Sequence, residues 1–146
     1  MSTIVVGFDS SPHARAALEY AAREALAHGS DLRVVTVWHV PAMAYAAGIG
    51  PAPGFDPHEL EEVARATASH ALEQMGRDAT RLAVETRVRE GQPAHVLVEE
   101  AADADLLVLG SRGLGGFRGL LLGSVSQQCA AHARCPVVIV HARTER

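Results

Sequence analysis

The chain has 146 residues, 48% of them apolar, and its 13 basic and 17 acidic residues give a formal net charge of −4 at pH 7. This length predicts one domain over residues 1–146 with a substantial core, and the negative charge argues against a nucleic-acid or anionic-membrane surface. The sequence has no apolar run as long as a membrane span and no signal-peptide pattern at its start, so we expect a cytoplasmic protein.

Strands and helices are predicted to alternate in the first part of the chain. The apolar run at residues 3–8 is typical of a strand that is buried on both faces. Ser11 and Pro12 then begin a helix, as its N-cap and its first helical residue, and Gly29 ends it. A second strand is predicted at residues 32–38.

A long amphipathic helix is predicted after these elements. Its start, Asp56-Pro57-His58-Glu59, resembles a capping box with proline at the first helical position. The apolar residues that then recur at helical spacing are Leu60, Val63, Ala64, Ala68, Ala71, Leu72 and Met75.

The remaining residues continue the alternation. Residues 83–89 alternate apolar or threonine side chains with charged ones, which is typical of an edge strand with one face in water. Pro93 begins a helix that extends to about residue 103, and a strand follows at residues 105–109. A further helix at about residues 124–133 leads to a last strand at residues 136–141.

This alternation predicts an α/β fold, an open five-stranded parallel sheet with helices on both faces, which is Rossmann-like in its winding. Ligands of such sheets bind at the carboxyl ends of strands, where the winding reverses. Asp9 follows the first strand and Gly110 the fourth, so a shared site makes these two strands neighbours. With right-handed crossovers, the predicted strand order is 3-2-1-4-5.

The fifth strand is predicted at an edge of the sheet although its residues are all apolar. Such a strand, Val137-Val138-Ile139-Val140, is too apolar to stay exposed in a monomer. We therefore expect it to pair with its own copy across a two-fold axis, forming a homodimer. The alternative is that the last helix or the C-terminal tail covers this edge.

The glycine-rich stretch at residues 110–124, GSRGLGGFRGLLLGS, carries the main functional signal. A strand, a glycine-rich loop and a helix start together present backbone N–H groups to a phosphate. The spacing Gly110-x2-Gly113-x9-Gly123-Ser124 is neither a Walker A loop nor the dinucleotide fingerprint. Free N–H groups at the helix start favour an anion; the alternative is that Ser124 only caps the helix.

Three charged residues near these strand ends are candidates for ligand contacts. Arg112 and Arg118 lie in the glycine loop, and because the chain has no lysine, a cationic contact to phosphate must come from arginine or a metal. An equal alternative is that both arginines are solvated loop residues that contact no phosphate. Asp9 is placed to accept hydrogen bonds from ribose hydroxyls, and its alternative role is that of a turn residue at the helix entry.

The cysteines and histidines show no metal-binding or redox pattern. Cys129 and Cys135 are not spaced as Cys-x-x-Cys, so we expect two reduced thiols in a reducing compartment. The eight histidines are scattered, and metal ligation is the weaker interpretation of each.

Taken together, these residues resemble the universal stress protein family over essentially the whole chain. The matching features are the start TIVVGFDSS, the glycine pattern and the ending CPVVIVH. The glycine pattern is similar to the ATP-binding signature of the family's nucleotide-binding branch. The resemblance implies an adenine-nucleotide alpha-hydrolase-like fold of order 3-2-1-4-5, frequent dimerisation through the fifth strand, and ATP bound where strands one and four meet.

The resemblance also implies ligand contacts, position by position. Asp9 would contact the ribose and adenine, Val37 would meet adenine through its main chain, and Gly110 would lie near the ribose. Mg²⁺ would arrive with the phosphates, and no carboxylate is identified as its ligand. The residues that would hold the phosphates are Gly113, Gly123, Ser124, Val125 and Ser126.

Residues 39–56 form a long connection with no predicted element. Long connections in compact domains often serve as lids or partner surfaces, and Met43, Tyr45 and Phe55 are the side chains suited to cover an adenine pocket. The alternative is a mobile linker that makes no contact, in view of its proline, glycine and alanine content.

Three functions remain open on these residues. The first is an ATP-binding regulatory or stress-response module, because a phosphate cradle is present without evident catalytic equipment. The second is a slow ATP hydrolase, which needs a base or a water-positioning residue. Only His13, His39 or Glu19 can be nominated for that role, and spacing singles out none, so no catalytic residue is predicted. The third, a nucleotide-free partner protein, is disfavoured by the intact glycine loop.

Overall fold

Five parallel strands form one sheet in the order β3-β2-β1-β4-β5, which confirms the predicted fold and strand order. The computed structural model describes residues 1–39, 42–51, 53–113 and 122–143. In these residues the strands are β1 (Thr3–Gly7), β2 (Asp31–Trp38), β3 (Val84–Glu90), β4 (Leu106–Gly110) and β5 (Val137–Val140).

Helices connect the strands and cover both faces of the sheet. A 3-10 helix (Arg77–Arg81) precedes β3. None of the helices in the described ranges is both long and apolar enough to cross a membrane. The α-helices are α1 (Pro12–His28), α2 (Ala42–Ala46), α3 (Pro57–Glu73), α4 (Pro93–Glu100) and α5 (Ser124–His132).

Some local predictions were wrong. The short helix α2 and the 3-10 helix lie where no element was predicted, because five residues are too few to establish an apolar period. α4 ends at Glu100 instead of near residue 103, because the chain must turn there to pair with β1: Asp105 N–H donates to Thr3 O at 2.9 Å. Val63 was assigned to the apolar face of α3, yet it is 61% exposed because α3 packs through its alanines.

The boundaries of α1 follow directly from its sequence. Ser11 Oγ accepts a hydrogen bond from Ala14 N–H at 3.1 Å, and Pro12 is the first helical residue. Gly29 ends the helix in the left-handed region at φ 63°, where a side chain is disfavoured. The buried face consists mostly of alanine, so the helix lies close to the sheet; its residues are Ala14, Ala17, Leu18, Ala21, Ala22 and Ala25.

Two apolar layers enclose the sheet. α1 and α3 pack on one face, and α4 and α5 pack on the other. Successive strand residues alternate between the layers: Val6 packs in the first and Val5 in the second, and both are fully buried. β1 is the middle strand, with β2 and β4 on either side of it, and the carboxyl ends of β1 and β4 lie side by side at one edge of the core.

An ion cluster joins edge strand β3 to α4. The Glu100 side chain is only 2% exposed, and it accepts hydrogen bonds from Arg87 Nη1 at 2.8 Å and from Arg89. On neighbouring β2, Arg33 Nη1 donates to the main-chain oxygen of Glu100 at 2.9 Å. The charged residues that predicted an edge strand thus also neutralise a buried carboxylate.

β5 is the other edge strand, as predicted. Its four residues are half-buried: Val138 and Val140 pack in the α1 layer, and Val137 packs in the α4 layer. No strand of the described residues pairs with its outer side. Pairing of β5 with a second copy of the chain stays a prediction.

Candidate functional site

The carboxyl ends of β1 and β4 bring the glycine loop against Asp9. β1 pairs with β4 in parallel, for example Val6 with Val108, so Asp9 and Gly110 extend from neighbouring strands. A Cβ added to Gly113 would lie 2.8 Å from Asp9 Oδ2. The first part of the glycine loop therefore passes directly over the Asp9 carboxylate, and a side chain at position 113 would collide with it.

A tight turn orients Asp9 at the end of β1. Ser11 N–H donates to Asp9 Oδ1 at 3.0 Å, the pattern of an Asx turn. Ser10, between them, has φ 66°, which a residue other than glycine rarely adopts. The alternative role of Asp9 as a turn residue is thus present in the structure through Oδ1, and Oδ2 lies on the side of Gly113.

Gly110 lies against the first turn of α1. A Cβ at this position would lie 2.6 Å from the main-chain carbon of His13 and 2.8 Å from its Cβ. Because main-chain atoms of a helix cannot yield as a flexible side chain does, only glycine fits here. Because of this close approach, the start of α1 lies against the end of β4 in the candidate site.

Two hydrogen bonds bring the start of α5 back to the end of β4. Gly123 N–H donates to Ser111 O at 2.7 Å, and the buried Ser126 hydroxyl donates to Gly110 O at 2.7 Å. The Ser126 hydroxyl is therefore engaged with the protein, which leaves its main-chain N–H for the predicted phosphate contact. Arg118 lies outside the described residues.

The start of α5 has no side-chain cap, unlike three other helices. Side chains accept hydrogen bonds from the first turns of α1, α3 and α4. At α5 the N-cap is Gly123, which makes no side-chain cap, and Ser124 is the first helical residue. The alternative in which Ser124 caps this helix is therefore wrong. Among the described residues no side-chain oxygen caps the positive end of the helix, which begins beside Arg112 and Gly113.

Val37 lies on β2 beyond the end of β1. The pairing of β1 with β2 ends at Gly7 and Val35, and Phe8 N–H donates to Val35 O at 2.9 Å. Main-chain groups of alternate residues point to the same side of a strand, so those of Val37 point toward the space above β1. A main-chain hydrogen bond between Val37 and an adenine base above β1 requires this direction.

Arg112 and His13 supply charge and hydrogen-bonding groups beside the loop. Arg112 is half-buried, and its charge helps to lower the pKa of His13, although burial of the imidazole contributes more. His13 Nδ1 lies 2.9 Å from Ser111 Oγ and accepts a hydrogen bond from Ala142 N–H at 3.0 Å. Sequence reasoning nominated His13 only as a hydrolytic base, since a contact spanning 129 positions leaves no local pattern.

The connection between β2 and α3 is anchored where the structure describes it. Tyr45 on α2 donates a hydrogen bond to Glu90 at 3.0 Å, and the ring centroids of Trp38 and Phe55 are 4.8 Å apart. The alternative of a linker without contacts is therefore wrong for these residues. Met43 is 84% exposed. A lid over the adenine position stays a prediction.

The cysteines are a buried and a half-buried thiol. Both cysteines are free, Cys129 is fully buried, and burial raises its pKa to about 11, so it is a poor nucleophile. Among the described residues, no group of three or more His, Cys, Asp or Glu side chains is arranged to hold a metal ion.

A glycine loop at the point where the winding of an open parallel sheet reverses defines a class of α/β ligand-binding proteins. Residues 1–141 match the universal stress protein family, and the chain belongs to that family.

Two relatives align with almost the whole of this chain. A universal stress protein of Mycolicibacterium smegmatis is 38% identical over 142 residues, which cover 96% of this chain and 46% of the relative. The universal stress protein in the QAH/OAS sulfhydrylase 3′ region of Thermus aquaticus is 34% identical over 144 residues, which cover 94% of this chain and 97% of the relative. The chain thus spans about half the length of the mycobacterial relatives that it matches.

Solved structures with this fold include nucleotide complexes. A universal stress protein in complex with cAMP is 31% identical, with a TM-score of 0.68 over 97% of this chain and 98% of the other. The universal stress protein from Archaeoglobus fulgidus in complex with dAMP is 25% identical, with a TM-score of 0.65 over 96% and 98%. Structural neighbours of this chain therefore bind adenine nucleotides.

Proposed function

We propose that this chain is an ATP-binding regulatory module that acts in the stress response. The observation that carries the proposal is the start of α5, whose first turn has no side-chain cap and faces the glycine loop. Phosphate supplies the negative charge and the acceptor oxygens that such a helix start lacks. In this proposal the main-chain N–H groups of Gly113, Ser124, Val125 and Ser126 hold the phosphates, and Arg112 adds a charge-assisted contact. Gly123 lies beside the phosphates, and its own N–H donates to Ser111 O at 2.7 Å.

The proposal assigns the nucleoside to the ends of β1, β2 and β4. Asp9 Oδ2 accepts from ribose hydroxyls, the main chain of Val37 meets adenine, and Gly110 lies beside the ribose. Three observations support this assignment: the carboxylate faces the loop, β1 ends before Val37, and Gly110 leaves no side chain between β4 and α1. The cAMP and dAMP complexes of structural neighbours support adenine as the base.

A triphosphate is proposed over a monophosphate because the glycine spacing resembles the ATP-binding signature of the family. The described ends of the loop lie together, since Gly123 N–H donates to Ser111 O at 2.7 Å, and this places Gly113 and the start of α5 beside the same phosphate chain. Mg²⁺ would enter bound to the phosphates and supply charge neutralisation there. The two free thiols support a cytoplasmic location, which is proposed on that ground.

The first test is to identify the nucleotide that co-purifies with the protein. The protein is purified without added nucleotide and denatured, and the released material is separated by chromatography. Near-stoichiometric ATP supports the proposal and slow turnover. Released ADP or AMP favours the slow ATP hydrolase, which is then followed by a time course on loaded ATP. No release, with no ATP binding by calorimetry, contradicts the proposal.

Replacement of Asp9 by alanine is expected to weaken ATP binding more than it weakens folding. The change removes a charged acceptor from the ribose, and we expect the Kd for ATP to rise about ten- to a hundredfold. It also removes the Asx turn with Ser11, so the free energy of unfolding falls by about 1 kcal/mol. Calorimetry and urea unfolding measure the two effects separately.

The matched control is Asp9→Asn, which keeps an oxygen for the Ser11 N–H. We expect this variant to recover the stability of the native chain while its affinity for ATP stays reduced, because the charge is absent. If Asp9→Ala binds ATP as tightly as the native chain, Asp9 does not belong to the site.

We also propose a homodimer through β5. The half-buried apolar edge that has no partner strand among the described residues supports this assembly. Light scattering at micromolar concentration is expected to give twice the chain mass, and Ile139→Lys is expected to give a monomer because a charge on the edge disfavours pairing. A monomeric mass for the unaltered protein contradicts the dimer.

A further inference from the structure

His13 joins three segments that are distant in sequence. Its ring belongs to the first turn of α1, and Nδ1 lies 2.9 Å from the hydroxyl of Ser111, the first residue after β4. The same Nδ1 accepts from the N–H of Ala142, which follows β5, at 3.0 Å. Ser111 itself is fully buried, and its N–H donates to Val140 O at 2.8 Å. One imidazole nitrogen therefore connects the start of the glycine loop to the end of β5.

The partners of Nδ1 determine which ring nitrogen carries the proton. The Ala142 main chain can only donate, so Nδ1 must present its lone pair. The Ser111 hydroxyl is free to rotate and donates to the same lone pair. The neutral ring therefore carries its proton on Nε2. A proton on Nδ1 would face the N–H of Ala142, and that hydrogen bond would be lost.

Charges from each neighbouring segment act on the ring. Arg112 in the loop and His141 after β5 oppose its protonation, whereas Asp9 after β1 favours it. Burial is the largest influence and also opposes protonation, so the pKa of His13 lies below its ordinary value of 6.5. The ring is therefore neutral at neutral pH, which is the state that the two hydrogen bonds require.

We propose that neutral His13 is a positioning residue for the nucleotide site, which holds the start of the glycine loop to the end of β5 through Ser111 and Ala142. This inference rests on the proposed function. It makes ATP binding sensitive to acid, because protonation of His13 releases Ala142 and frees Ser111 from its acceptor. It also couples the site to the strand through which the homodimer is proposed.

The direction of the pH effect follows from linkage. Because folding lowers the pKa of His13, its contribution is complete above the unfolded value of 6.5 and is lost as the pH falls through the lower folded value. The proposed positioning requires the same neutral ring, so the affinity for ATP should be constant near neutral pH and should fall when acid protonates His13 in the folded, nucleotide-free protein.

Two substitutions of His13 separate positioning from packing. Asn places its side-chain oxygen near the position of Nδ1, accepts from both partners and does not titrate. We expect His13→Asn to bind ATP within about threefold of the native chain at about pH 7.5 and to lose less affinity than the native chain at about pH 5.5, where the terminal phosphate of ATP also takes up a proton in every variant. We expect His13→Ala to bind about tenfold more weakly at both pH values. The control is His58→Asn, at an exposed histidine at the start of α3, which should retain the native pH profile.

A second measurement uses the nucleotide-free protein. Long-range ¹H–¹⁵N spectra of the imidazoles should show Nδ1 of His13 unprotonated at neutral pH. Hydrogen exchange at the Ala142 amide should be about tenfold faster in His13→Ala than in His13→Asn. A proton on Nδ1, unchanged exchange at Ala142, or an acid loss of affinity in His13→Asn as large as that of the native chain overturns the inference. If neither the native chain nor any variant binds ATP, the proposed function is wrong. The spectra and exchange rates then test by themselves whether His13 Nδ1 accepts hydrogen bonds from Ser111 and Ala142.

Discussion

Gly110→Ala is expected to destabilise the fold and to abolish most nucleotide binding. The added Cβ would lie 2.6 Å from the main-chain carbon of His13, well inside van der Waals contact. Since β4 is central in the sheet and α1 is packed across it, neither main chain can move without disturbing the core. We expect the free energy of unfolding to fall by about 1–3 kcal/mol, the usual cost of overpacking. Urea unfolding with an unchanged m-value would measure it.

The matched control is Gly123→Ala, in the same glycine pattern. Among the described residues its Cβ would have no neighbour closer than 3.6 Å, and its φ of −70° is accessible to any residue. We expect a loss of less than about 1 kcal/mol, from the weaker N-cap. Equal stability losses for the two variants would mean that the close approach of Gly110 to His13 is not a feature of the folded protein.

Removal of both arginines that face Glu100 is expected to give the largest loss of stability. The Glu100 side chain is 2% exposed and relies on Arg87 and Arg89 for its cationic partners. Arg87→Met combined with Arg89→Met leaves this carboxylate buried without a cation. We expect the free energy of unfolding to fall by about 3–5 kcal/mol, because the desolvated charge is no longer compensated. The two arginines themselves are 38% and 45% exposed, so their own pairing energy is the smaller part.

A triple variant isolates the cause of that loss. Adding Glu100→Met removes the buried charge together with both partners and leaves an apolar contact between β3 and α4. We expect most of the lost stability to return. If the triple variant is as unstable as the double variant, the arginines stabilise β3 through packing of their stems and not through Glu100.

Much of the fold could be predicted because its signals are local. Ser11, Pro12 and Gly29 act on their own helix, and the alternation of charge in β3 follows from one dry and one wet face. The strand order was also predictable, since crossover handedness and the position of the reversal leave few arrangements. Shorter elements such as α2 were missed because they depend on contacts, here the Tyr45 hydrogen bond to Glu90.

The candidate site was predictable only in part. The glycine spacing indicated a phosphate loop between β4 and the next helix, and the resemblance to the universal stress protein family assigned residues to it. Neither the spacing nor the resemblance revealed that the Ser126 hydroxyl donates a hydrogen bond to Gly110 O, or that Ser124 is not the cap of α5. Those details depend on the distance between the end of β4 and the start of α5, which no spacing along the chain encodes.

The sequence by itself determined the order of the strands and longer helices, both ends of α1, the start of α3 and the glycine loop that resembles the signature of the family. These features depend on backbone preferences and apolar periodicity within a few residues of each other. Only the tertiary structure brought His13, Ser111 and Ala142 to a single imidazole nitrogen, and Glu100 to its arginines. Such contacts form between groups that are far apart in the chain. Because an unpaired polar group is costly when it is buried, each of these groups pairs with a partner that the fold places close to it.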